Sequence, residues 1–208
     1  MYKKRQIQVR IQKLQCLECK KHQQEEYKRK GCCGKIANQV KTLVKESCGI
    51  RSISRILKIS ATTVIAVIKR EAEKIEKPKV KMGRNYEADE LKTYVKKKKN
   101  EQWVIYAIDK KTKQVADFRI GRRNKGNLKN VITTLLLSKA KKIYTDGLST
   151  YRSLIPKELH KSVPHNTNYI ERKNLDLRTH LKRLSRKTIC FSKSITMLTA
   201  VMKIYFWG

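Results

Sequence analysis

The chain has 208 residues, enough for one medium domain with an appendage or two small ones, and its 51 Lys and Arg against 17 Asp and Glu give a formal charge of +34. Such a charge destabilises a compact state unless a polyanion neutralises it, so nucleic acid is the expected partner. No apolar run nears the roughly 18 residues of a membrane span, and the polar start MYKKRQIQVRIQKLQC lacks the apolar stretch of a secretion signal.

These features predict a cytoplasmic, nucleoid-associated protein with no membrane partner. Its six cysteines are then reduced, and serve as metal ligands or core residues rather than a disulfide framework. The basic residues are spread along the whole chain and not gathered on one amphipathic segment, which also disfavours a membrane surface.

Residues 1–38 hold four of the six cysteines and little periodic apolar content. Cys16 and Cys19 form a C-x-x-C pair, a spacing from which two thiolates reach one Zn²⁺ without strain. Residues 39–76 carry a helical period: Val40, Leu43 and Val44, then Ile53, Ile56 and Leu57, then Val64, Ile65, Val67 and Ile68. Within them, a helix from about Ile50 to Leu57, a tight turn at Lys58 to Ser60 and a second helix opening at Ala61 read as a helix-turn-helix. Ser60 is its expected N-cap. Its second helix would enter the major groove with Thr62, Thr63 and Lys69 facing DNA, supported by Arg51 and Arg55. A plain helical hairpin is the competing reading. Residues 77–85, with a Pro, a Gly and four cations, read as a basic linker.

From residue 86 onward the pattern alternates strands and helices. Strands are expected at Glu87 to Val95, Gln102 to Ile108 and Gln114 to Ile120. A helix at Leu128 to Ser138 and a strand at Lys142 to Thr145 follow. Next come a short helix at Leu148 to Leu154, an extended piece at His160 to Val163, a long helix from Asn168 to Leu184 and a closing helix from Ser192 to Tyr205. Three antiparallel strands, a helix, a further strand and more helices is the ribonuclease H-like order. The fold class is therefore α+β or α/β, a mixed sheet flanked by helices.

In so basic a chain most carboxylates have cations to pair with, so acids at the middles and ends of core elements need another reason. Asp89 lies in the alternating run YEADELKTYV, which puts Glu87, Asp89, Leu91 and Thr93 on one face and Tyr86, Ala88, Glu90 and Lys92 on the other. Glu87 and Glu90 are close enough in sequence to be mistaken for it, and Asp109 is a second rival, but KKTK after Asp109 suits a hairpin turn. Asp146 ends an apolar strand before Gly147, where ligands bind in open sheets or where Asp caps a helix. Glu171 sits beside the stripe Ile170, Asn174, Leu177, Leu181 and Leu184, either in a surface ion pair or as a metal ligand. Arg172, Lys173, Arg178 and Lys182 around it would grip a DNA backbone. Between Asp89 and Asp146 lie 56 residues, and between Asp146 and Glu171 lie 24.

From YEADELKTYV through QWVIYAID, KKIYTDG and IERKNLDLRTHLKRLSRKTICFSKS, roughly residues 80 to 205, the chain closely resembles the transposases of the insertion-sequence-one family. The resemblance implies a ribonuclease H-like catalytic domain with an Asp-Asp-Glu triad on Asp89, Asp146 and Glu171. It also implies two Mg²⁺ (or Mn²⁺) ions, cleavage at element ends, strand transfer into target double-stranded DNA, and a dimer or larger assembly on that DNA. Asn174 would orient the metal shell or contact phosphate, and His165 and Arg178 would contact the scissile region. Tyr144, Tyr151 and Tyr169 lie near the triad and would suit a nucleophile, which such chemistry does not need.

The resemblance further implies a zinc ribbon before the helix-turn-helix. Here it is degenerate: Arg29 stands where the third Cys belongs, Cys32 matches the fourth, and Cys33 or His22 would have to substitute. The rival function is a decayed transposase that only binds element ends and represses. The incomplete cysteine set and the ending IYFWG, unlike the family's, favour it. A structural nucleic-acid binder without sequence preference is a third reading.

Overall fold

The computed structural model describes residues 13–24, 34–162, 167–188 and 190–208. A small antiparallel hairpin, β1 (Lys13–Gln15) and β2 (His22–Gln24), comes first. Three helices follow, α1 (Gly34–Lys45), α2 (Ile50–Leu57) and α3 (Ala61–Lys74). The bounds of α2 and the opening of α3 at Ala61 are those expected. Lys58 takes the left-handed conformation that ends α2, and the Ser60 side chain accepts the Thr63 N–H to start α3.

The sheet is built from β3 (Asn85–Val95), β4 (Lys97–Asp109), β5 (Val115–Gly121), β6 (Lys142–Tyr144) and β7 (His160–Lys161), in the order β5-β4-β3-β6-β7. The first three strands run antiparallel; β6 lies parallel to β3, and β7 parallel to β6. This mixed sheet flanked by helices is consistent with a ribonuclease H-like fold. Strand β4 alternates strictly between two cores. Ile105 and Ala107 join Tyr86 and Ala88 under α4 (Lys125–Leu137) and the one-turn α5 (Ser149–Arg152). Val104, Tyr106 and Ile108 face α6 (Asn168–His180) and α7 (Ile195–Trp207). Both faces are covered, so these strands are apolar on both sides.

Helix α4 opens three residues earlier than expected and α5 is confined to Ser149–Arg152; three further expectations change. The β4 strand begins at Lys97, because KKKNEQ pairs back along β3 through a register shift at Tyr94 and Val95. The long helix stops at His180: Leu181 leaves helical geometry (φ −99°, ψ 94°) and Lys182–Leu184 form a 3₁₀ turn. There the Arg178 guanidinium donates to the Leu184 carbonyl and the Ser185 hydroxyl to the Arg178 carbonyl, satisfying oxygens that the helix end would leave bare. The closing helix starts at Ile195, capped by Ser194, and runs through Trp207.

Helix α7 is apolar around most of its girth because it serves two cores. Leu198 and Met202 pack on the sheet side, while Met197, Ala200, Val201 and Ile204 complete a core with Val40, Val44, Ile53, Val64 and Ile68 of α1–α3. The N-terminal helices are thereby held to the sheet through a shared element.

Candidate active site

The β3 strand meets β6 only over Asn85 to Glu87. Beyond Glu87 the β6 chain turns away through Thr145, Asp146 and Gly147, and that edge of β3 opens where Asp89 lies. Two hydroxyls hold the exit in place, since Thr145 Oγ1 and Ser162 Oγ both donate to the Asp146 carbonyl. One Asp146 side-chain oxygen, Oδ1, accepts the Leu148 N–H at 3.1 Å. Asp146 is not the helix N-cap expected as its alternative role, since Leu148 caps α5 without a side-chain bond; its carboxylate instead closes the turn beside Asp89.

Asp89, Glu90 and Asp146 each place a carboxylate oxygen within 4.8 Å of the other two. The strand alternation sends Asp89 and Glu90 to opposite faces, and for their packing this holds. At an open sheet edge, however, side chains from both faces can curl toward the same point, and Asp146 stands there. Glu90 is the site residue that sequence reasoning missed. Its adjacency to Asp89 was a weak signal, and periodicity argued against it.

Asp89 is half-buried and each of its oxygens accepts one hydrogen bond, Oδ1 from the Glu90 N–H (2.7 Å) and Oδ2 from the Asn174 Nδ2 (2.6 Å). Burial pushes its carboxyl above the ordinary range; the charges of Asp146 and Glu171 push the same way, and the two hydrogen bonds oppose them. Burial likewise pushes Glu90 up to about 7, against the attraction of Arg123.

Glu171 is not one of the acids whose oxygens meet. It is exposed in the first turn of α6, where it accepts the Thr167 hydroxyl at 2.7 Å; the surface ion pairs weighed for it with Lys173 or Arg178 are not what holds it. Its helix is nevertheless tied to Asp89. Asn174 lies three residues on, on the same helix face. The Tyr106 hydroxyl donates to Asn174 Oδ1 at 2.8 Å, which turns the amide nitrogen toward Asp89. Glu87 supplies a second tie: fully buried, it accepts the Ile170 N–H at 2.7 Å and pairs with Lys110 at 3.0 Å. A carboxylate at a helix N-terminus meets both bare N–H groups and the positive end of the helix dipole.

Asp109 takes the turn role foreseen for it, accepting the Lys111 N–H. Tyr151 is excluded as a nucleophile, being fully buried with its phenol pushed well above its ordinary value by burial and then by the charges of Glu90, Asp89 and Asp146. Tyr144 lies under the Lys110 ammonium, 3.9 Å from the ring centre.

Of the expected DNA contacts, Arg51, Arg55, Thr62, Lys69, Arg172 and Lys182 are exposed. Thr63 is drawn into the cap, its hydroxyl 2.8 Å from Ser60 Oγ. Lys173 is partly buried, 5.9 Å from the Tyr205 ring centre, and Arg178 is committed to the end of α6. Cys16 and Cys19 sit on the turn between β1 and β2, where Lys20 N–H donates to the Cys16 carbonyl. The backbone N–H groups of Cys19 and Glu18 hold the Cys16 thiol below its ordinary value. Cys32, Cys33, Arg29 and His165 lie outside the described residues. Among the described residues no helix is long and apolar enough to cross a membrane.

Residues 85–207 match the family model described as IS1 transposase. The chain is 36% identical over 109 residues to insertion element iso-IS1n protein InsB of Shigella dysenteriae, covering 52% of this chain and 83% of that protein. It is 35% identical over 119 residues to insertion element IS1 protein InsB of Shigella flexneri, covering 57% and 91%. A chain of the cryo-EM structure of the simian T-cell lymphotropic virus intasome in complex with PP2A regulatory subunit B56 gamma superposes with a TM-score of 0.38 at 16% identity, over 78% of this chain and 66% of that one. That likeness is too loose to bear on the fold. The family match spans more than half of the chain and every acid of the site, and the chain belongs to the IS1 transposase family.

Proposed function

We propose that this chain is a metal-dependent DNA transposase whose Asp89, Asp146 and Glu171 form an Asp-Asp-Glu site on a ribonuclease H-like sheet. The observation that carries the reading is the meeting of Asp89 and Asp146, acids far apart in sequence, within 4.8 Å at an open strand edge, with the Glu171 helix tied to Asp89 through Asn174. Hard carboxylate oxygens clustered in this way fit Mg²⁺ or Mn²⁺ rather than a softer metal. Bound there, a divalent pair would activate water or a 3′-hydroxyl and stabilise the leaving oxygen of the phosphodiester.

The protein's own residues prepare that chemistry. Asn174 and the Glu90 N–H orient the Asp89 carboxylate, the Thr145–Asp146 turn presents the second, and Thr167 steadies Glu171. Exposed Arg172 and Lys182 flank the site and neutralise backbone phosphates, while α2 and α3 read the element ends as a helix-turn-helix through Arg51, Arg55, Thr62 and Lys69. Because two ends must be joined, the working form is a dimer or larger. The Cys16–Cys19 turn is one half of a zinc site in this reading.

The test mixes the full chain with DNA carrying the element's ends and Mg²⁺ or Mn²⁺, beside Asp146→Asn. Metal-dependent cleavage by the natural chain, reduced about 10³-fold or more in the variant as for a residue acting within a unit, is the expected result. End-specific binding without cleavage would establish the repressor instead, and binding indifferent to end sequence a structural role.

A further inference from the structure

We infer that Glu90 is a fourth carboxylate of this site and holds a divalent cation jointly with Asp89 and Asp146. The inference deepens the metal-dependent reading and rests on it. Glu90 lies on the opposite face of β3 from Asp89, with its side chain 1% exposed, yet its Oε1 has no hydrogen-bond partner. A buried carboxylate oxygen without a partner is costly and calls for one. The Tyr151 hydroxyl, also buried, approaches Glu90 without reaching hydrogen-bond geometry, and lies in the field of Asp89 and Asp146 as well. Glu90 Oε1 and the Tyr151 hydroxyl, two of the buried polar atoms without a hydrogen bond, therefore lie near one another beside the acids.

The distances suit one ion. Oxygens coordinated at about 2.1 Å can lie no more than about 4.2 Å apart across the ion, and the three oxygens here lie within 4.8 Å. Closing them takes about half an ångström, well within side-chain freedom. The cation that already approaches Glu90 does not do this work. Arg123 stands 3.6 Å from Oε2, longer than a charge-assisted hydrogen bond. Its guanidinium lies 4.8 Å from the Trp103 ring centre, in a groove that it lines with Lys96, Lys99 and Arg122. Arg123 thus approaches only Oε2 of Glu90 and leaves Oε1 without a cation.

The experiment is isothermal titration of the full-length protein with MnCl₂, for the natural chain and for Glu90→Gln, Asp146→Asn and Arg123→Gln. Glu90→Gln is expected to weaken Mn²⁺ binding at least 10- to 100-fold, the loss typical of residues that merely support metal ligands. In EDTA it should melt at or above the natural chain, because a buried like charge is gone. Arg123→Gln should leave Mn²⁺ affinity unchanged or tighter. Should Glu90→Gln not fold, Glu90→Asp, which withdraws the carboxylate by one methylene, must also weaken binding. Unchanged affinity in the Glu90 variants beside a loss in Asp146→Asn overturns the inference while the metal site stands. An Arg123→Gln loss equal to that of Glu90→Gln overturns it too, since Glu90 would then act through the arginine. No Mn²⁺ uptake by the natural chain would remove the metal reading itself, and the inference with it.

Discussion

Two parts of the site are assembled by different means. Asp89 and Asp146 are brought together by backbone: the parallel pairing of β3 with β6 ends at Glu87 and Tyr144, and the next residues must diverge at that edge. Glu171 comes from α6, which no ladder ties to β3; side chains hold it there, Asn174 to Asp89 and Glu87 to the Ile170 N–H. A ladder is cooperative and hard to displace by one substitution. Side-chain tethers can be cut singly, so the helix half of the site should be the adjustable half.

Substitutions can break this contrast, and the largest effects should come from the acids. Asp89→Asn and Glu171→Gln should each lower strand cleavage about 10³-fold or more. They should differ in Mn²⁺ titrations: Asp89→Asn loses binding, whereas Glu171→Gln, outside the 4.8 Å trio, retains most of it. Equal losses of affinity in both would show that the helix half is as firmly built in as the sheet half.

Next in size is Glu87→Gln, which removes the buried ion pair with Lys110 and turns a charged acceptor at the α6 N-terminus into a neutral one. Removing one partner of a buried pair costs about 3–5 kcal/mol, and the part-exposed lysine should hold the loss to about 3 kcal/mol in urea denaturation. Asn174→Ala removes the bonds to both Asp89 and the buried Tyr106 hydroxyl and should cost about 1–3 kcal/mol, while lowering cleavage about 10- to 100-fold, as for groups that orient a metal ligand. Tyr106→Phe deletes the hydrogen bond that orients Asn174 and should cost about 1 kcal/mol of stability, with a smaller drop in cleavage than Asn174→Ala. A larger drop would mean that Tyr106 acts on the site by a route other than Asn174. Smallest for catalysis is Ser60→Ala, which removes the α3 cap at about 1 kcal/mol. It should weaken binding to element ends without changing cleavage per bound molecule.

The same contrast explains what the sequence could and could not reveal. Strand periods and turn residues carried the sheet and the α2–α3 turn, because local backbone geometry dictates them, whereas only the family resemblance singles out Asp89 and Asp146 together. The break at Leu181 was hidden because Leu177, Leu181 and Leu184 are all buried, and a helix running on or a 3₁₀ turn would bury the same leucines. Glu90 was hidden because alternation describes packing faces and not where a flexible carboxylate ends at an open edge. The reach of Glu87 to α6 depends on a contact 83 residues away, which no local pattern records. The two-sided role of α7 did leave a trace, in the almost wholly apolar run ITMLTAVMKIYFW.

Anomalous diffraction at the manganese edge, on crystals of the full chain grown or soaked with MnCl₂, tests the site most directly. The account predicts a manganese peak about 2.1 Å from carboxylate oxygens of both Asp89 and Asp146. A fully bound manganese elsewhere, with those two carboxylates contacting none, would contradict it.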